Sequence, residues 1–178
     1  MDSLLSTYRS APSSVMAFGR PGRADVARVR VARALRALAH CDLCAHRCGV
    51  DRIAGARGPC GAGSSARVFL AQTEMVDERS LCPVFAVSFS GCDLRCDFCI
   101  TGRSSWDTAA GSVVSGPGIG SEPLDELASS ARRALQSGAR SIMILGGEPT
   151  LHLPTVLDFV ARLPDDAQLI WKTNAHGT

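Results

Sequence analysis

Hydrophobic residues along this chain fall into short continuous runs and helical stripes. Val84-Phe85-Ala86-Val87-Ser88-Phe89, Ser141-Ile142-Met143-Ile144-Leu145 and Gln168-Leu169-Ile170-Trp171 are the continuous runs. Runs of this length are read as strands buried on both faces. Residues 66–73 predict one further short strand. Over residues 24–40, Val31, Leu35 and Leu38 share one helical face and Arg28, Arg33 and Arg36 lie nearer the other. This predicts an amphipathic helix packed on a domain. A second helix is expected from Ser121 as N-cap, with Pro123 in its first turn, the stripe Leu124, Leu127, Ala128, Ala131, Leu135, and Gly138 at its end. A third opens at Pro154 with Leu153, Leu157, Val160 and Leu163 inward. Residues 1–20 hold Ser, Pro and Gly without periodicity and read as a loose arm. Residues 100–120, rich in Gly, Ser and Thr around Trp106, read as a long loop, mobile or laid across a site.

Strand–loop–helix repeated along the chain predicts parallel strands joined by crossover helices. The ends of the three runs carry a cluster of thiols, then Gly146-Gly147-Glu148-Pro149, then Thr173-Asn174. Parallel strands place all three at one sheet edge, where α/β proteins bind ligands.

Composition narrows the class. The 178 residues are 46% hydrophobic and 20% charged, a globular balance. The net charge of +2 gives no broad attraction to nucleic acid or membrane. No apolar run approaches the roughly 20 residues of a membrane span. A compact apolar export signal is missing from the N-terminus, although its arginine-rich, acid-poor first 40 residues share the composition of an organelle transit peptide. Eight cysteines without an export signal, seven of them in two tight groups, favour metal binding in a reducing cytoplasm over disulfides.

The central group is Ser90-Gly91-Cys92-Asp93-Leu94-Arg95-Cys96-Asp97-Phe98-Cys99. Three thiolates at this spacing can wrap one corner of an iron–sulfur cube, where full protein ligation needs four cysteines. Cys82, the nearest spare, reads as a buried thiol at a strand entrance or as the fourth ligand of an electron-transfer cluster. An open iron would bind a small molecule directly, by the logic of an open catalytic zinc. On spacing alone the loop also suits three ligands of a zinc knuckle, and Gly-Gly-Glu-Pro suits a tight turn capping the next helix. Asp93 and Asp97 are expected to be solvated or paired with Arg95. His152 and His176 follow strand ends and carry no assigned role.

The N-terminal group is Cys41, Cys44, Cys48 and Cys60, flanked by Gly49, Gly55, Gly58 and Gly61 that let the backbone bend around an ion. Four thiolates fit tetrahedral zinc or a second iron–sulfur cluster, and four unliganded thiols are the bland alternative. A zinc would staple the segment; a cluster would relay electrons.

Cys-x3-Cys-x2-Cys with Phe98 before the last cysteine, followed on the next strand by Gly146-Gly147-Glu148-Pro149, resembles the signature of the radical S-adenosylmethionine (radical SAM) superfamily. Phe-Ser-Gly-Cys-Asp-Leu-Arg-Cys is similar to the branch of pyruvate formate-lyase activating enzymes, within it to uncharacterised members with an N-terminal cysteine segment. The resemblance covers roughly residues 41–176. It implies a partial (β/α) barrel of the radical SAM type, with about three of six β/α units present, preceded by an N-terminal helix and a cysteine-rich metal-binding segment. The expected divisions are residues 1–40, 41–65 and 66–178.

The resemblance further implies that Cys92, Cys96 and Cys99 ligate a [4Fe-4S] cluster whose fourth iron chelates S-adenosylmethionine. Gly146, Gly147 and Glu148 would receive the methionyl ammonium, Phe98 would lie along the adenine, and Asn174 would touch the ribose or methionyl carboxylate. Reductive cleavage would release a 5′-deoxyadenosyl radical that takes hydrogen from a substrate of unread identity, a protein among the candidates. The chemistry belongs to the cofactors, which the protein positions and shields. The electron donor would be a flavodoxin or ferredoxin, with no nucleic-acid or membrane partner and a cytoplasmic location. A full eight-unit barrel takes about 250 residues, so six units need roughly 190. Three units from residue 84 onward are expected to be the front half of a larger protein, with the strand at 168–171 as an open apolar edge.

Overall fold

The computed structural model describes residues 21–76 and 78–178. The expected N-terminal arm lies outside them. The first element is helix α1 (Arg23–Arg36), followed by strands β1 (Ala66–Glu74) and β2 (Val84–Phe89). Next come a short helix α2 (Arg103–Trp106), strand β3 (Ser112–Ser115) and helix α3 (Glu122–Gln136). Strand β4 (Ser141–Gly146), a single 3₁₀ turn (Pro149–His152), helix α4 (Leu153–Val160) and strand β5 (Gln168–Trp171) complete the order.

The five strands form one mixed sheet in the order β3-β1-β2-β4-β5. As expected for a partial β/α fold, β2, β4 and β5 are parallel, with Val84 opposite Ser141 and Ser141 opposite Gln168. The other two strands are antiparallel: β1 pairs with β2 and β3 with β1. All six residues of β2 are buried, because it is central in the sheet and covered on both faces. Strand β5 lies at the sheet edge, with Trp171 at 39% exposure.

One core joins Phe85, Val87 and Phe89 of β2, Ile142 and Ile144 of β4, the apolar stripe of α3, and Val156 and Phe159 of α4. Each such fully buried side chain contributes roughly 1.5–3 kcal/mol. Helix α3 follows its pattern, with Leu124, Leu127, Ala128 and Ala131 buried and Pro123 in the first turn. Ser121 precedes it without a side-chain cap, and its carbonyl accepts from Asp125 N at 2.9 Å.

Three expectations about elements need correction. Strand β5, read from its apolar run as buried on both faces, has both end residues exposed because it lies at the sheet edge. The first helix stops at Arg36 rather than near residue 40, because Leu38 and Ala39 close tighter turns onto Leu35 O and Arg36 O. Residues 100–120 are not one loop. They contain α2 and β3, and β3 forms because β1 offers a free edge and the core takes Val114.

Candidate metal and cofactor site

The thiol loop begins where β2 ends. Gly91, at φ +94°, turns the chain out of the sheet, and Arg95, at φ +51°, turns it again. Cys92, Cys96 and Cys99 lie half-buried along the loop as free thiols, and Cys99 N donates to Cys96 O at 3.1 Å. Cys99 Sγ sits 3.3 Å from both Thr101 Oγ1 and Ser105 Oγ. The Ser105 hydroxyl, then that of Thr101, stabilise its thiolate and hold its pKa down to about 7. A thiol poised as thiolate is what a metal ligand requires. Phe98 and Ile100 beside it project into solvent, at 87% and 100% exposure. Nearby, the Trp106 indole Nε1 is buried without a partner among the described residues. Half-buried thiols and a favoured thiolate fit a thiolate-ligated group at this loop.

Gly146 and Gly147 are explained by backbone contact. A Cβ on Gly146, at φ +128°, would lie 2.2 Å from Phe89 N and O, and one on Gly147 would lie 1.9 Å from Gly91 O. The approach is locked by Gly147 N donating to Phe89 O at 2.7 Å and Glu148 N to Gly91 O at 2.8 Å. Any side chain here would push the second strand end off the thiol loop.

Glu148 is 1% exposed. Its Oε1 accepts from Thr150 N at 2.9 Å, and its Oε2 accepts from Thr173 Oγ1 and Asn174 N, both at 2.8 Å. Its carboxylate therefore ties the second strand end to the third. Asn174 is likewise engaged: Nδ2 donates to Asp93 Oδ1 and Oδ1 accepts from His176 N, each at 2.8 Å. All three strand ends meet at one edge, as the sequence pattern predicts.

Asp93 departs from expectation. Its side chain is fully buried rather than solvated or paired with Arg95, and Oδ2 lies 2.6 Å from His176 Nδ1. His46 Nε2 stands 3.3 Å from Asp93 O, and the two histidine rings meet edge to face at 5.4 Å. Sequence reasoning missed this group. An aspartate between Cys92 and Leu94 carries no mark of burial, and its partners lie 47 and 83 residues away.

The N-terminal cysteines pack against the same edge. Cys41, Cys44 and Cys60 are buried and Cys48 is half-buried. The loop closes through Cys41 N to Val50 O and Gly49 N to Cys41 O, and a Cβ on Gly58 would lie 2.5 Å from Cys48 Sγ. Cys44 and Gly177 form an isolated antiparallel bridge, Ala45 N donates to His176 O at 2.8 Å, and Thr178 Oγ1 donates to Asp42 O. Burial pushes the Cys44 and Cys60 thiols up, so uncomplexed they stay protonated. Arg52, 1% exposed, places Nη1 3.8 Å from Cys41 Sγ. A buried guanidinium keeps its charge, and thiolates drawn onto a metal would compensate it. Four thiols beside a buried cation fit a metal centre by their chemistry, but no three of the sulfurs lie within 4.8 Å of one another; among the described residues only His46, Asp93 and His176 gather that closely.

Cys82 lies at the far end of β2. It is buried, and its Sγ bonds Val76 N at 3.0 Å and Val76 O at 3.1 Å. A six-residue strand at about 3.3 Å per residue puts it roughly 20 Å from the thiol loop, too far to serve as a fourth ligand.

Burial also holds His152 neutral, with its pKa lowered to about 4 and the nearby Arg52 charge adding to the effect. Its Nε2 meets Ser90 O at 2.8 Å, and its ring stacks on Phe89.

These features define an α/β protein that presents thiol ligands where parallel strands end. The family model described as the radical SAM superfamily matches residues 87–176, and the chain belongs to that superfamily. The superfamily implies a [4Fe-4S] cluster and S-adenosylmethionine. An uncharacterized protein of Methanocaldococcus jannaschii is 28% identical over 144 residues, covering 78% of this chain. The chain spans 40% of the length of that relative. No solved structure matches. Among the described residues, no helix is long and apolar enough to cross a membrane.

Proposed function

We propose that Cys92, Cys96 and Cys99 hold three irons of a [4Fe-4S] cluster, leaving the fourth iron for S-adenosylmethionine, in the manner of the activating-enzyme branch. The carrying observation is the junction of three strand ends: Gly146 and Gly147 lie against Phe89 and Gly91, and Glu148 reaches Thr173 and Asn174. When bound, this pair of cofactors supplies reductive carbon–sulfur cleavage and hydrogen abstraction from a substrate. The chain's own residues shape the place. Ser105 and Thr101 favour the Cys99 thiolate, and the two glycines bring the second strand end against the loop. Glu148 fixes Thr173 and Asn174 relative to the thiols. Its three existing hydrogen bonds leave the methionyl ammonium to be received chiefly by backbone carbonyls of residues 146–147. Phe98, exposed beside Cys99, is a surface for the adenine. The electron donor is proposed to be a flavodoxin or ferredoxin, and the substrate class extends to proteins.

Cys41, Cys44, Cys48 and Cys60 are proposed to hold zinc or a second iron–sulfur cluster, with Arg52 as its counter-charge.

Anaerobic analysis of iron, sulfide and zinc, with spectra before and after adding S-adenosylmethionine, tests both centres. The radical reading requires a spectral shift, and 5′-deoxyadenosine under strong reductant, both lost in Cys92→Ala, Cys96→Ala or Cys99→Ala. An iron-loaded chain whose spectrum ignores S-adenosylmethionine would instead be an electron carrier. Zinc without iron would make it a zinc-binding module.

A further inference from the structure

Behind the thiol loop lies a polar cleft whose Arg57 and Arg67 the preceding chemistry does not use. Its cavity of about 250 Å³ is bounded by the stretch from Arg52 to Ser65, which includes the approach to Cys60, and by the start of β1, with Arg52, Arg57, Arg67, Ser64, Ser65 and Thr108 among its lining. It abuts the loop's origin: a Cβ on Gly91 would lie 3.3 Å from Thr108 Cγ2.

The charges in this cleft are one-sided. Arg57 Nη1 donates to Gly61 O at 2.6 Å and reaches Thr108 Oγ1 at 3.5 Å, and Arg67 Nη1 donates to Gly111 O at 2.6 Å. Each guanidinium is thus pinned through one terminal nitrogen. Among the described residues neither makes an ion pair with a carboxylate. Arg52 behind them is buried and turned to Gly63 O and the Cys41 thiol. Guanidinium groups cannot shed their charge, so cations gathered at one cleft concentrate positive potential there.

We propose that this cleft is a binding site for a phosphate-type oxyanion, held by Arg57 and Arg67 with the hydroxyls of Ser64, Ser65 and Thr108. The donor set selects this chemistry. Two forked guanidinium groups and three hydroxyls offer more hydrogen bonds than the two oxygens of a carboxylate can accept, while a phosphate group presents three terminal oxygens. The cavity exceeds a single phosphate, so the natural ligand is a phosphate-bearing small molecule. The site stands on its own residues and is independent of whether the thiol loop carries a cluster.

The test is calorimetric titration of the full chain, purified anaerobically, with inorganic phosphate at fixed ionic strength and with acetate in a parallel arm. Saturable one-to-one phosphate binding is expected. Arg57→Met and Arg67→Met should each weaken it by about tenfold or more, acetate should bind at least about tenfold more weakly, and Arg30→Met on the exposed face of α1 should leave it within about twofold. Arg57 is exposed, so Arg57→Met decides the matter even where Arg67→Met disturbs the β1–β3 pairing. Non-saturable phosphate binding, binding indifferent to Arg57→Met, or acetate binding as tightly as phosphate overturns the proposal.

Discussion

His176 Nδ1 lies 2.6 Å from Asp93 Oδ2, joining the thiol loop to the segment after β5 through a carboxylate with no solvent exposure. The same carboxylate accepts from Asn174 Nδ2. In Asp93→Asn one oxygen becomes an amide N–H₂, so one of the two donors, His176 Nδ1 or Asn174 Nδ2, loses its acceptor. We expect a loss of about 1–3 kcal/mol in denaturant unfolding of the metal-free chain, and lower iron retention after reconstitution. Unchanged values on both counts would show that the pair holds nothing in place.

Glu148 should behave first as a structural tie. Three donors converge on its carboxylate, so Glu148→Gln turns an amide N–H₂ toward at least one of them. The expected loss is roughly 1.5–3 kcal/mol, read from the urea midpoint before any cofactor is added. A variant as stable as the parent would return Glu148 to the ligand-binding role that the motif alone suggests.

Cys99 should be the pH-sensitive thiol of the loop. Its pKa, lowered from 9.0 to about 7, makes the folded chain favour the thiolate. Its contribution to stability is present above the unfolded value and is lost as pH falls through about 7. Alkylation of the metal-free protein should show a Cys99 rate midpoint near pH 7, mapped by mass spectrometry. Ser105→Ala should move that midpoint upward, because Ser105 is the largest cause of the shift.

Acid sensitivity should trace to His152. With its pKa lowered from 6.5 to about 4, the unfolded chain takes up a proton that the folded chain refuses. Stability is then full above about pH 6.5 and declines toward pH 4, by at most about 3 kcal/mol. His152→Gln, which can retain a bond to Ser90 O, should flatten that decline in unfolding measured across the interval. An equally steep variant would place the acid sensitivity elsewhere.

The parallel part of the fold was legible because β2 and β4 are covered on both faces and therefore read as unbroken apolar runs. Strand β3 was hidden because Ser112-Val113-Val114-Ser115 has only two apolar residues; β1's free edge, a non-local cause, makes it a strand. The site divides along the same line. The thiol spacing and the glycine pair are local patterns that stand out in the chain. The burial of Asp93, the engagement of Glu148 by Thr173, and the arginine cleft each depend on residues brought together by folding. Glu148 shows the difference most clearly: the motif suggests a ligand-facing carboxylate, whereas the strand ends supply it with three protein donors.

The pairing of residues 41–48 with the segment around Gly177 also sets an order of assembly. Asp42 and Thr178 are 136 residues apart, and Asp93 and His176 are 83 apart. Contacts of such separation form late, since the loop between them must first be ordered. On the ribosome the cysteine segment and the thiol loop emerge long before their shared partner. Metal delivered during synthesis would meet two unbraced sets of thiols. Correct loading of each set is therefore favoured once the segment 174–178 has docked and braces both sets.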